Sequence, residues 1–383
     1  MSCGVANVRL RQLISPASVL LIGLVAGLLV FRNAGFTKDA GVARQTAPAD
    51  LDGEINRSLP ESLAGCRDVT SRFRGVQLDT DDRASLVFHG ILALGSELSV
   101  VNRLTGQPVE IPGFALSLLE ASRRGQSADT ATRANVQQKH PGQFLSYLLT
   151  AKSQGRLHWP EELDSALTAV WCEERQSVGM TATLGWFVPA YCLSDSRTTF
   201  SNKYGEVIDA PYLVKALIAQ SRDGDRRQVC FGLHEVQALG VARTNLRAEL
   251  DKATFAILDQ VFREQSQEVL AAVSAGQLHA GRSTDNDALR LDDDYSFFYS
   301  AGHAIEALVS APDCVMADPR MHEFVATVLE RCRNSTIWHE PNELKTGGSP
   351  PGAHYCIMSH LVHALQLYAS TVEHRGATAA TNH

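Results

Sequence analysis

Three stretches of the chain carry apolar residues at helical spacing. Leu163, Leu167, Val170 and Trp171 form one stripe behind Pro160-Glu161-Glu162, a proline-plus-acid opening that suits a helix N-terminus. Leu250, Phe255, Leu258, Val261 and Phe262 form a second, and Phe324, Val325, Val328 and Leu329 a third. No run of alternating residues is punctuated by hairpin turns, and no glycine-rich phosphate loop follows a strand-like segment. The pattern predicts an all-α chain.

One stretch is apolar on every face. From Leu13 to Phe31 nineteen residues pass without a charge, close to the roughly 20 that a helix needs to cross a bilayer. Arg9 and Arg11 precede it and Arg32 follows. A cleaved secretory signal would have a small-x-small site just after its core; Phe31-Arg32-Asn33 stands there instead. The expected layout is therefore a cytoplasmic stub over 1–12, a transmembrane signal-anchor over 13–31, a flexible tether over 32–58, a helical body over 59–374 and a disordered tail over 375–383. The body is expected to lie outside the cytoplasm.

A repeat organises the body. His89-Gly-Ile-Leu-Ala-Leu94, His234-Glu-Val-Gln-Ala-Leu239, His303-Ala-Ile-Glu-Ala-Leu308 and His360-Leu-Val-His-Ala-Leu365 share the pattern H-x-[IV]-x-A-L. Two weaker copies, from His140 and from Trp186, fill the long gap between the first two. Starts 46 to 69 residues apart leave room for one helix out and one back, so repetition at this period predicts stacked helical hairpins rather than separate domains. Six hairpins would close into an α/α toroid. His and Ala at i and i+4 share a helix face, and several copies begin beside Gly or Pro. That predicts each imidazole near a helix start, where the dipole favours the neutral ring. In a closed toroid His89, His234, His303 and His360 would face one cavity as binding residues. The alternative makes them structural, each bonding a neighbouring hairpin.

Composition narrows the function. The 383 residues are 44% apolar and 20% charged, which excludes a disordered chain. The net charge of −7 divides unevenly. Residues 1–50 hold five basic and two acidic residues, leaving thirty basic against forty acidic in the body. An acidic body without a basic stripe excludes a nucleic-acid partner. The eight cysteines include no CxxC pair, so a zinc ribbon is not expected. Buried thiols and a disulfide framework both remain open.

Short motifs carry three resemblances. Asp79-Thr80-Asp81-Asp82-Arg83-Ala84 resembles the DxDD segment of the squalene/hopene cyclases, membrane-attached α/α toroids; the resemblance implies that Asp81 is a proton donor. Asp292-Asp293-Asp294-Tyr295-Ser296-Phe297 is similar to a zinc-binding segment of protein prenyltransferase β-subunits, which share the toroid. That resemblance implies a divalent metal such as zinc on Asp292, Asp294 and a later histidine, His354 or His360. Asp294 stands where that family has cysteine, and the QxxxGxW repeats of the cyclases are missing. Gly302-His303-Ala304-Ile305-Glu306 resembles a segment of the N-acylglucosamine 2-epimerases, implying His303 and Glu306 as catalytic groups for proton abstraction. Together these readings predict a membrane-anchored α/α toroid that binds a small molecule or protein in its cavity, or scaffolds, without the families' full catalytic motifs. The alternative is an enzyme using the same cavity, as a metal-dependent lyase or hydrolase or as a sugar isomerase.

Overall fold

The computed structural model describes residues 51–124, 142–179, 184–194, 197–222, 232–276, 293–338, 341–347 and 352–381. Residues 13–31 and the stub before them lie outside this set. Among the described residues no helix is long and apolar enough to cross a membrane.

Thirteen α-helices make up the described body. They are α1 (Leu51–Arg74), α2 (Ala84–Leu94), α3 (Ile111–Arg124), α4 (Gln143–Ser153), α5 (Asp164–Ser177), α6 (Leu184–Leu193), α7 (Ala210–Arg222), α8 (Leu233–Asn245), α9 (Lys252–Ser274), α10 (Asp293–Val309), α11 (Pro319–Asn334), α12 (Pro341–Thr346) and α13 (Ala353–Thr381). Among the described residues extended structure is confined to two two-residue pairs, Leu78–Asp79 parallel to Val100–Val101 and Phe200–Ser201 antiparallel to Val207–Ile208, and to a bridge between Val101 and Pro108. The chain is all-α, as its periodicity predicts.

The three apolar stripes fall on α5, α9 and α11, except that Leu163 and Leu250 stand just ahead of α5 and α9. Local chemistry starts two of these helices. Asp251 caps α9 by accepting hydrogen bonds from the Ala253 and Thr254 amides, and Asp318 caps α11 through the Arg320 amide ahead of Pro319 at the first turn. The boundaries differ from the expected tether and tail: α1 already begins at Leu51, and α13 continues to Thr381.

Two kinds of helix alternate along the chain. The amphipathic α1, α3, α5, α7, α9 and α11 each precede a more thoroughly buried partner: α2, α4, α6, α8, α10 or α13. In α2 every residue except Ser85 is buried, which explains its continuous apolar run: it has neighbours on all sides. These buried helices touch in the order α2, α4, α6, α8, α10, α13, and α13 returns to touch α2. On the outside α1 packs on α11, α11 on α9, and α9 on α7. Contacts join Asp50–His383 into one unit.

Candidate active site in the axial cavity

The repeat brings four histidines to one place. The rings of His303 and His360 lie 4.1 Å apart between centroids, His234 and His303 4.7 Å, and His89 and His360 5.1 Å. All four are buried. Two further aromatic rings complete the layer: Tyr147 on α4, 4.9 Å from His89, and Trp186 on α6, 3.7 Å from His234. Each buried helix thus contributes one ring. The shared signature is wider than histidine. His89, Tyr147, Trp186, His234, His303 and His360 are each followed by an aliphatic residue at +2 and alanine at +4: Ala93, Ala151, Ala190, Ala238, Ala307 and Ala364. All six alanines are fully buried, which lets neighbouring helices approach closely. Trp186 keeps its expected place. His140 lies outside the described residues, and Tyr147 occupies that copy's position.

Glycine tightens the layer at two points. A β-carbon on Gly302 would lie 2.8 Å from the Leu361 amide nitrogen, and one on Gly185 would lie 3.0 Å from the His234 β-carbon. α10 therefore meets α13, and α6 meets α8, beside the layer.

The next inward position, +3, opens onto a cavity of about 180 Å³. Leu92, Thr150, Pro189, Gln237, Glu306 and His363 line it, one from each buried helix, and the +7 residues Gln154, Leu193, Val241, Ser310 and Leu367 extend it. The polar chemistry sits in the +3 layer and at its border with the rings. His360 Nδ1 donates to Glu306 Oε2 at 2.9 Å, and His363 Nδ1 meets Glu306 Oε1 at 2.5 Å. Tyr147 lies with its hydroxyl 3.1 Å from His360 Nε2 and 3.4 Å from His89 Nε2, and accepts from Gln143. His363 Nε2 lies 3.3 Å from Gln154 Oε1. Arg156 donates to that same oxygen from Nε and Nη2, and from Nη1 to the Ala93 carbonyl and Gln366. A polar chain therefore runs from Tyr147 through His360, Glu306, His363 and Gln154 to Arg156.

Three of the imidazoles, those of His303, His360 and His363, are held neutral. Burial pushes His303 and His360 down to about 3, helped at His303 by the neighbouring His360. Burial and the Arg156 charge lower His363 to about 4, against the pull of Glu306. Burial also lowers Arg156 to about 10, with Glu306 and Glu97 opposing. The dipole explanation fails for most of the set: His303 is the eleventh residue of α10 and His360 the eighth of α13, so burial, and not a helix start, is the main cause of their state. The side chains are locally oriented, since His89 Nδ1 donates to the Ser85 carbonyl and His303 Nδ1 to the Tyr299 carbonyl, one turn back in each helix.

No protein-family model, curated protein or solved structure matches the chain.

Five of the expected site residues therefore assemble: His89, His234, His303, His360 and Glu306. The others do not join them. Asp81 is corrected to a surface residue, its side chain 58% exposed and paired with Arg103 at 2.9 Å, and it does not stand in the apolar cavity that the cyclase resemblance implies. Its neighbours Asp79 and Asp82 both pair with Lys345. Asp292 lies outside the described residues. Asp294 is held by Arg331 at 2.7 Å, and this bond and one to Ser335 keep its carboxyl below the usual range despite burial. His354 stacks on Tyr295 and bonds its hydroxyl. The expected metal set is thus divided among other partners, and among the described residues no group of three His, Cys, Asp or Glu has metal-binding geometry. Glu306 bonds His360 and His363, whereas His303 is tied to the backbone, so the expected His303–Glu306 unit is replaced by a histidine–glutamate–histidine bridge. Cys66, Cys172 and Cys192 are free thiols.

Proposed function

We propose that this protein is a membrane-anchored α/α toroid of six helical hairpins whose axial cavity binds a small polar metabolite. The observation that carries the reading is the shared register. One position on each of the six buried helices faces the same cavity, and polar groups concentrate there instead of pairing off at the surface. Buried polar groups are costly unless satisfied, and a merely structural core would be filled with aliphatic side chains. The cavity falls below the roughly 300–1,000 Å³ typical of drug-sized ligands and near the ~150 Å³ that admits a single six-membered ring. Its hydrogen-bonding groups favour a hydroxy acid, an amino acid or a monosaccharide over a hydrocarbon. The uncharged stretch 13–31 supplies the anchor.

Thermal unfolding of the detergent-solubilised full chain tests this against a panel of those three compound classes. At a hundredfold excess over Kd a ligand adds about 2.7 kcal/mol of stability, a rise of a few degrees in Tm. The reading expects such a rise in wild type and its loss in Thr150→Trp, which fills the cavity. A panel without effect on wild type, or an equal effect on both proteins, contradicts it. Deleting residues 1–31 is expected to release the chain from membranes; continued pelleting with them refutes the anchor.

A further inference from the structure

Arg156 is a largely buried cation that bonds only neutral oxygens. Its Nη1 donates to the Ala93 carbonyl and to Gln366 Oε1, both at 2.8 Å, and its Nε and Nη2 both donate to Gln154 Oε1. Among the described residues no carboxylate bonds it. Glu97 is paired with Arg74 and Glu306 is held by His360 and His363, so both act on the guanidinium only through space. A charge taken out of water is costly unless an opposite charge meets it. The three neutral oxygens supply dipoles but no such charge. The guanidinium is also fixed in place. The Arg156 N–H donates to the Ala151 carbonyl at 3.0 Å, and the Ser96 N–H to the Arg156 carbonyl at 2.9 Å. A β-carbon on Gly95 (φ +58°) would stand 2.3 Å from that carbonyl oxygen, so glycine is what lets the two segments meet.

With Nη1 tied to α2 and α13, the planar fork turns its Nε–Nη2 edge towards Gln154. That edge matches the two oxygens of a carboxylate, and Gln154 gives it a single neutral one. Gln154 lines the cavity at its +7 end and is exposed, so its side chain can swing into solvent and leave the edge open to the cavity. The oxygen it places there lies 3.3 Å from His363 Nε2, whereas Glu306 meets the opposite ring nitrogen, Nδ1. The imidazole therefore stands between this position and the carboxyl group of Glu306. We propose that Arg156 binds a ligand carboxylate at the position held by Gln154 Oε1, and that the axial cavity selects small carboxylic acids over neutral sugars. This rests on the ligand-binding reading and narrows its compound classes to hydroxy acids and amino acids. The carboxylate sits at the outer end on the Nε–Nη2 edge. The rest of the molecule extends inward, where Thr150, Gln237 and Glu306 offer hydrogen-bonding groups to a hydroxyl or an amino group. Gln154 is a stand-in that keeps the guanidinium bonded when no ligand is present, and it competes with the ligand for the same edge.

Matched probes test this on the detergent-solubilised full chain at pH 7: L-lactate, L-mandelate and L-serine, each beside its primary amide, with D-glucose as the neutral sugar. Dissociation constants come from the dependence of Tm on probe concentration. Charge-assisted hydrogen bonds predict that wild type binds an acid about ten- to a hundredfold more tightly than its amide. Arg156→Lys keeps the charge and loses the fork, so it should lose most of that preference through weaker binding of the acids alone. Gln154→Ala, at an exposed position, removes the competing oxygen. It should bind the acids more tightly than wild type does and leave the amides and glucose unchanged. Equal weakening of acids and amides in R156K, or acid binding in Q154A that is unchanged or weaker, overturns the proposal. If R156K does not fold, Q154A decides alone. A wild type that binds glucose or the amides as tightly as the acids sinks the carboxylate site and leaves the binding cavity standing. A wild type that binds none of the probes contradicts the binding reading itself, and the carboxylate site falls with it.

Discussion

Replacing Gly302 by alanine perturbs the point at which the two most closely associated helices meet. The added β-carbon would stand 2.8 Å from the Leu361 amide nitrogen and 3.1 Å from the His360 carbonyl carbon, both backbone atoms of α13. Ordinary contact begins near 3.4 Å, so α13 would have to retreat by about 0.6 Å where it presents His360. A backbone cannot rotate away as a side chain does. Overpacking of this kind costs ~1–3 kcal/mol, while alanine gains at most ~1 kcal/mol of helix propensity over glycine. The net expectation is a loss of about 1–2 kcal/mol, read as a lower urea midpoint with an unchanged slope in far-UV circular dichroism. Gly113→Ala is the matched control. Its β-carbon meets only the Glu110 carboxylate, the movable end of a side chain, so that variant should be as stable as wild type or more so. If Gly302→Ala matches or exceeds wild type, the close approach of α10 and α13 is refuted.

Three further outcomes follow from the same geometry. His303 and His360 are both lowered to about 3 and stay neutral in the folded protein, while their unfolded counterparts protonate below about pH 6.5. Stability should therefore fall as pH drops from 6.5 towards 3, by about 1.4 kcal/mol per pH unit for each residue; a double His303→Gln/His360→Gln variant that keeps the full acid slope in urea titrations would contradict this. Arg156→Met leaves the Ala93 carbonyl, Gln154 and Gln366 without their donor, so a loss of ~1.5–3 kcal/mol is expected in chemical denaturation. An unchanged midpoint would show that Arg156 does not organise the end of the cavity. Asp81→Asn removes only an exposed pair with Arg103. It should shift stability by less than about 1 kcal/mol and leave ligand-induced thermal shifts intact; loss of those shifts would restore the cyclase-like role for Asp81.

The helical class and the position of the histidine layer were legible because both rest on local periodicity. Stripes such as Leu167, Val170 and Trp171 report a buried helix face whatever lies opposite, and an interval repeated along the chain reports equivalent positions in equivalent hairpins. Tyr147 and Trp186 were harder to see as members, because the repeat was keyed on histidine. The alanine four residues on, Ala151 and Ala190 in these two copies, is the invariant that marks them. It reflects helix packing and not chemistry. Glu306 was visible through its spacing from His303, yet its partners are His360 and His363, two turns of a helix that follows more than fifty residues later. Arg156 and Gln154 could not be read at all, since their role depends on the turn after α4 folding back beneath Ala93. Asp81 and Asp294 misled for the complementary reason. Acid-rich segments look alike whether they enclose a proton or a metal or only meet a cation, and here Arg103 and Arg331 come from 22 and 37 residues away.

The most direct test of the account is a crystal structure of the full chain with the compound that raises Tm most. Ligand density between Glu306, His363, Thr150 and Gln237, in contact with the +3 layer of the six buried helices, is the predicted result. Density elsewhere on the protein, with the axial cavity holding only water, would contradict it.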